Sequence, residues 1–197
     1  MLDGHLPYPH RMPRLHIIHT STRDGRVGRP IADWVLARAT KHGGFETELI
    51  DLKVINLPLF DEPRHPRFRQ YEHAHTKAWS ASVEKADAFV FVMPEYNHGA
   101  PPALVNALDY VYVEWNYKPV AFVSYGGVAG GTRSVQIIKP TLLALKMVPI
   151  VEAVTIPFFT KLLDGGVFVG GEPHDQAAEV MFGELVRWTA ALKTLRS

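Results

Sequence analysis

Three short, nearly uninterrupted apolar runs limit the folds open to this chain: Leu15-His16-Ile17-Ile18-His19, Ala88-Phe89-Val90-Phe91-Val92 and Pro119-Val120-Ala121-Phe122-Val123. Runs of this kind, rich in Val, Ile and Phe, alternate here with longer helical patterns, which is the order of a parallel sheet covered on both faces. The pattern predicts strands at 14–19, 45–52, 86–93, 119–124 and 148–154. Helices are expected between them. The first runs from Ile31 to Lys41 and is closed at Gly43-Gly44. A polar helix follows over 70–85. The next begins at Pro101-Pro102 and aligns Leu104, Leu108, Val111 and Trp115 on one face. Another, from Gly130, turns Val135, Ile138, Leu142 and Leu145 inward. Pro140 predicts a kink or break in it near Ile137, since an interior proline removes a backbone bond. An amphipathic helix over 174–195 closes the chain. Residues 53–69 read as an irregular surface connection and 155–173 as a hairpin or extension.

Five strands interleaved with five helices fit an α/β, flavodoxin-like doubly wound five-stranded parallel sheet of order 2-1-3-4-5, with helices on both faces. At 197 residues the chain suits one domain, 14–197. Residues 1–13, with Pro7, Pro9, His10 and Arg11 but no apolar stretch, read as a flexible leader and not a signal peptide. With 21 basic and 20 acidic side chains, no global charge argues for nucleic acid or an anionic membrane surface, so any anion site is local. No apolar run reaches the ~20 residues of a membrane span. The absence of cysteine excludes disulfides, thiolate metal sites and thiol catalysis; it agrees with a cytoplasmic protein whose redox chemistry, if any, needs a bound cofactor.

The order 2-1-3-4-5 brings the loops after strands one, three and four to one crevice, where ligands of such sheets sit. The first loop holds Ser21, Thr22 and Arg23 ahead of a helix N-terminus: hydroxyls, a bidentate cation and unpaired N–H groups at the positive end of the dipole. That suits a terminal phosphate, with Arg26 and Arg29 adding to it, although an ordinary N-cap region with solvated arginines reads the same way. In the second, Tyr96 can cover a planar ring such as a flavin while the N–H groups of Glu95, Tyr96 and Asn97 meet its polar edge. Alternatively, it is a tight turn with Asn97 capping the next helix. In the third, Gly126 and Gly127 let backbone N–H groups reach a ring carbonyl, or else form a small-residue turn with no ligand.

Thr20-Ser-Thr-Arg-x-Gly-Arg-Val-Gly, Leu57-Pro-x-Phe-Asp-Glu-Pro, Ala86-Asp-x-Phe-Val through Pro94-Glu-Tyr-Asn-His, and Ser124-Tyr-Gly-Gly-x-x-Gly-Gly resemble the NADPH-dependent FMN reductase family of flavodoxin-like quinone and chromate reductases. The likeness spans about residues 14–150. It implies that Ser21, Thr22, Arg23, Arg26, Val27 and Gly28 hold the FMN phosphate. Pro94, Glu95, Tyr96, Asn97 and His98 would lie along the isoalloxazine, and Ser124, Tyr125, Gly126 and Gly127 on its pyrimidine side. It further implies hydride transfer from NAD(P)H, NADPH favoured, through bound FMN to a small-molecule acceptor such as a quinone or free flavin. Thr20, where members usually have glycine, and Pro140 depart from the pattern.

No side chain is assigned as catalytic acid or base; His98 has a suitable pKa, but a structural or solvent role suits a loop histidine better. His73 and His75 fall on different faces of a polar helix, so no metal site is expected. Tyr110, Tyr112, Trp115 and Tyr117 either merely cover the sheet or make a candidate subunit contact, the latter in keeping with the homodimers or dimers of dimers that the resemblance implies. The rival readings are a flavodoxin-type electron carrier and a non-enzymatic phosphate-ligand-binding domain.

Overall fold

The computed structural model describes residues 11–196. Five parallel strands, β1 (Arg14–His19), β2 (Glu46–Asp51), β3 (Ala88–Pro94), β4 (Pro119–Gly126) and β5 (Val148–Pro157), lie in the order β2-β1-β3-β4-β5. β3 and β4 sit at the centre and are buried almost throughout, which is why their sequences do not alternate. The leader expected at 1–13 falls outside the described residues except for its last three, of which Pro13 accepts a hydrogen bond from Glu46 N–H at 2.9 Å.

One face carries α1 (Arg29–His42) and α6 (Gly171–Lys193), packed through Ile31, Val35, Met181 and Phe182 onto Val90, Val92 and Val123. The other carries α3 (Ala74–Lys85), α4 (Pro102–Asp109) and α5 (Thr132–Ala144) over Phe89, Phe91 and Phe122. Gly43 ends α1 in the left-handed region, φ 74°, as its position after the last helical residue requires. The irregular connection contains only the short helix α2 (Leu52–Ile55) and a 3-10 turn at Pro66–Phe68, and α3 starts at Ala74 rather than at Gln70.

α4 is shorter than the sequence predicts. It stops at Asp109, and Trp115 lies in a separate 3-10 turn, Val113–Trp115. Val111 and Trp115 are still fully buried, because the turn folds them back under the sheet. The helix end is closed by side chains: the indole N–H of Trp79 donates to Ala107 O at 2.8 Å and that of Trp115 to Leu108 O at 3.2 Å, satisfying carbonyls that a helix C-terminus leaves free. Tyr110 and Trp115 are therefore core residues covering the sheet, and their rings are not available to a subunit contact. α5 runs through Pro140 without a break. Gln136, whose carbonyl loses its partner, and Pro140 itself are both on the exposed side of the helix, where solvent can meet the orphaned group.

His73 precedes α3 and is not part of it. Its ring stacks on His75, centroids 5.1 Å apart, so the two are not on different faces; both turn toward Asp61. The closing helix begins at Gly171, three residues earlier than expected, and β5 extends to Pro157. Beyond it a 3-10 turn, Phe159–Leu162, leads into a two-stranded hairpin of β6 (Leu163–Asp164) and β7 (Val167–Phe168), which seats Phe168 against Trp34, centroids 5.1 Å apart.

Trp79→Phe keeps most of the buried ring but strands the Ala107 carbonyl, and is expected to lower unfolding free energy in urea by about 1–3 kcal/mol. Unchanged stability would show that the indole does not close the helix.

Candidate active site

β1, β3 and β4 are neighbours and parallel, so the segments that follow them share the carboxyl edge of the sheet. Two of these segments are stitched together by side chains. Thr20, fully buried, donates both its N–H and its hydroxyl to Val92 O, each at 3.1 Å. Ser21 Oγ lies 2.6 Å from the Tyr96 hydroxyl. The second and third are joined by Glu95 N–H to Tyr125 O at 3.2 Å and by the Arg133–Glu95 ion pair at 2.5 Å.

In the first loop the N-terminus of α1 has Gly28 as its cap, no side-chain capping bond and no acidic residue in its first turn. These are the features of an open anion site. Arg23 is exposed and makes no ion pair among the described residues, whereas Arg26 is committed. The Arg26 guanidinium grips both oxygens of Asp51 at 2.6 Å and also donates to Ser21 O at 2.6 Å. Burial alone would raise the Asp51 carboxyl, but the Arg26 fork and the Lys53 N–H outweigh it and hold the pKa below the usual carboxylate range. Val27 is partly exposed, Thr22 is exposed, and Arg29 divides between Asp33 at 2.8 Å and Asp51 at 3.5 Å. A cavity of about 360 Å³ adjoins Thr22 and runs between Leu52, Asn56 and Asn106.

Beneath this loop lies His19, fully buried, with neither ring nitrogen hydrogen-bonded. Burial pushes its pKa down to about 4; Asp51, 3.9 Å away, pulls against that, and Arg26 and Arg29 add to it. Tyr125 is also buried here, its phenol raised by burial. A Cβ on Gly28 would overlap the Tyr125 hydroxyl, so glycine lets the loop close over that ring. The Tyr125 side chain is thus a support under the first loop; only its backbone stands at the third.

The second loop is a tight turn with Asn97 at φ 50° and His98 at φ 66°, closed by Tyr96 N–H to Gly99 O at 3.0 Å and Gly99 N–H to Tyr96 O at 2.9 Å. Two successive positive φ values mark a type I′ turn. Asn97 is not the cap of α4, which starts five residues later after Pro101. Of the N–H groups expected to face a ligand, those of Glu95 and Tyr96 are already used inside the protein. Pro94 is buried, and Glu95 Oε2 is buried without a partner. Ser124 shapes the third loop by donating to Gly130 O at 2.9 Å. Gly126 follows Ser124 and Tyr125 at the end of β4, and around Gly127 a side chain would meet no atom within 4 Å, so that backbone faces open space.

Sequence reasoning overlooked Asp51, His19 and the Phe158 contact described below, and it offered Arg133 only as a cation for a nucleotide phosphate, not as the partner of Glu95. Asp51 carried a signal, as a carboxylate ending the strand beside β1; the others depend on side-chain packing.

The sheet order and its edge of loops define a flavodoxin-like α/β fold. The sequence pattern described as NADPH-dependent FMN reductase matches residues 13–161, and the chain belongs to that family. It is 40 % identical over 148 residues to an NAD(P)H-dependent FMN reductase of Schizosaccharomyces pombe, covering 74 % of each chain. An NAD(P)H-dependent FMN reductase from a Nectria species is 34 % identical over 178 residues, 84 % of this chain and 87 % of that one. Among solved structures, FerB, a flavoenzyme NAD(P)H:(acceptor) oxidoreductase from Paracoccus denitrificans, superposes with a TM-score of 0.71 at 18 % identity, over 91 % of this chain and 98 % of the other. The protein is thus an oxidoreductase, which sets aside the electron-carrier and non-enzymatic readings. Among the described residues no helix is long and apolar enough to cross a membrane.

His19 is neutral when buried and charged when exposed below its ordinary pKa, so the unfolded chain binds the extra proton on acidification. Stability is expected to fall as pH drops from about 6.5 to about 4, by up to roughly 3 kcal/mol from this group. His19→Gln should flatten the slope, leaving the part due to His16, also lowered by burial. An unchanged slope in denaturation series across that range would contradict the assignment.

Proposed function

We propose that the protein binds FMN in the crevice where the three loops meet and uses it to carry hydride from NAD(P)H to small acceptors such as quinones or free flavins. The observation that supports this most is the uncapped, acid-free N-terminus of α1 beside the unpaired Arg23, on the same sheet edge as the Tyr96 turn and the open Gly127 backbone. Such a site suits a phosphate at one end and a flat polar ring at the other.

In this reading Ser21, Thr22 and the N–H groups through Gly28 hold the phosphate, with Arg23 as its mobile cation. Arg26 acts by shaping the loop, since its guanidinium ties Ser21 O to Asp51. Pro94 to His98 lie along the ring, Tyr96 covering it and the Asn97 amide meeting its polar edge. Ser124 to Gly127 border the pyrimidine side, where the Gly127 amide is free to stabilise negative charge. Bound FMN supplies a two-electron carrier that a nicotinamide reduces and a quinone reoxidises. No side chain is required as acid or base, and His98, exposed on its turn, is the imidazole nearest to hand. NADPH is favoured over NADH, its extra phosphate suiting an edge where Arg29 and Arg133 stand beside the first and third loops. A cytoplasmic homodimer or dimer of dimers completes the reading, with exposed Leu59, Phe60 and Val105 offering the apolar surface that Tyr110 and Trp115 do not.

Titration of the purified protein with FMN is expected to give a bound flavin absorbance that bleaches when NADPH is added. Arg23→Ala should weaken FMN about tenfold or more and leave riboflavin, which lacks the phosphate, unchanged. Equal loss for both ligands, or no flavin binding at all, would overturn the site.

A further inference from the structure

Phe158 stands at the exit of β5 in the left-handed region, φ 47°. A bulky side chain is strained there, whereas glycine or asparagine is not. The residue precedes the Phe159–Leu162 turn and makes no side-chain capping bond, so the turn itself calls for no aromatic ring. Its neighbour Phe159 packs edge-on against Tyr125, centroids 5.0 Å apart, while Phe158 is held 50 % exposed. One ring serves the packing; the other is presented outward.

Contacts with the third loop fix where it is presented. Phe158 N–H donates to Gly127 O at 3.1 Å. The Gly130 backbone lies so close to the β5 exit that a Cβ there would come to 3.0 Å from Pro157 N. The β5 exit is thus built onto the loop proposed to border the flavin ring. The Lys161 ammonium lies 5.3 Å from the Phe158 ring centroid, within cation–π range, and makes no ion pair among the described residues. An exposed ring with an uncommitted cation beside open backbone at Gly127 is a surface for a flat, electron-poor, negatively charged ligand.

Resting on the flavin-binding reading above, we propose that Phe158 and Lys161 form the acceptor subsite, the ring as a stacking platform and the ammonium as an anchor for planar quinones that carry a sulfonate or carboxylate. Phe158 is then a specificity-determining residue: it selects oxidants by shape, and Lys161 by charge.

The probe is anthraquinone-2-sulfonate, whose equilibrium binding to the FMN-treated protein is followed by calorimetry without any reductant, with FMN affinity measured in parallel. Phe158→Asn keeps a residue that tolerates the left-handed backbone and removes the ring. It should fold as the wild type and bind FMN as tightly, yet hold the sulfonate about tenfold more weakly and show the same rise in KM for it. Lys161→Met should weaken the sulfonate and leave the uncharged quinone menadione unaffected, and the difference should shrink with added salt. Wild-type affinity for the sulfonate in Phe158→Asn, or a parallel loss of FMN, overturns the subsite. A wild type that takes up no FMN defeats the earlier reading instead, and the same sulfonate comparison on that protein still decides whether Phe158 holds the probe.

Discussion

The carbonyl of Val92 accepts both the N–H and the hydroxyl of Thr20, and on that junction the edge of the sheet depends. It fixes the start of the first loop to the end of β3, one residue pair beyond the last ladder register between the strands, His19 with Val92. The Ser21–Tyr96 hydroxyl contact then extends the seam into the second loop. Thr20 therefore ties the first loop to β3 with a buried side-chain bond. A buried hydroxyl without a partner would be costly, so the threonine is compatible with this edge only because Val92 O is within reach.

Charge is arranged around the same seam. Asp51, at the end of β2, would repel an anion at the first loop, but Arg26 neutralises it with a two-pronged pair and braces Ser21 at the same time. Arg23, on the same loop, makes no ion pair among the described residues. Burial holds His19 below toward its neutral form, with Arg26 and Arg29 adding to that and Asp51 opposing it. In a chain of formal net charge +1, the charge at this edge is set by such neighbouring pairs and not by an overall field.

The strands of the sheet centre were legible because both their faces are covered, so hydrophobicity alone marks them, and the order followed from counting strand and helix patterns. The loops were legible because glycine, proline and hydroxyl residues cluster where apolar runs stop. What stayed hidden depends on partners distant in sequence. The helical spacing of Leu104, Leu108, Val111 and Trp115 marked buried positions correctly but could not show that the helix yields to a turn once Trp79 and Trp115 close its end. The proline in α5 sits, with Gln136 whose carbonyl it orphans, on the exposed side of the helix, a fact of placement. Arg26 reads as an anion ligand until Asp51 is seen beside it, and Tyr125 as a ring contact until Gly28 is found pressed over it. Residues 155–173 carry no repeating pattern, because their order comes from docking onto Gly127 and Trp34.

A crystal structure of the protein grown with excess FMN tests the central claim most directly. The account predicts the phosphate at the N-terminus of α1 within reach of Arg23, and the ring system between the Tyr96 turn and Gly127. Flavin bound away from that edge, or the crevice closed by the protein's own side chains under saturating FMN, would contradict it.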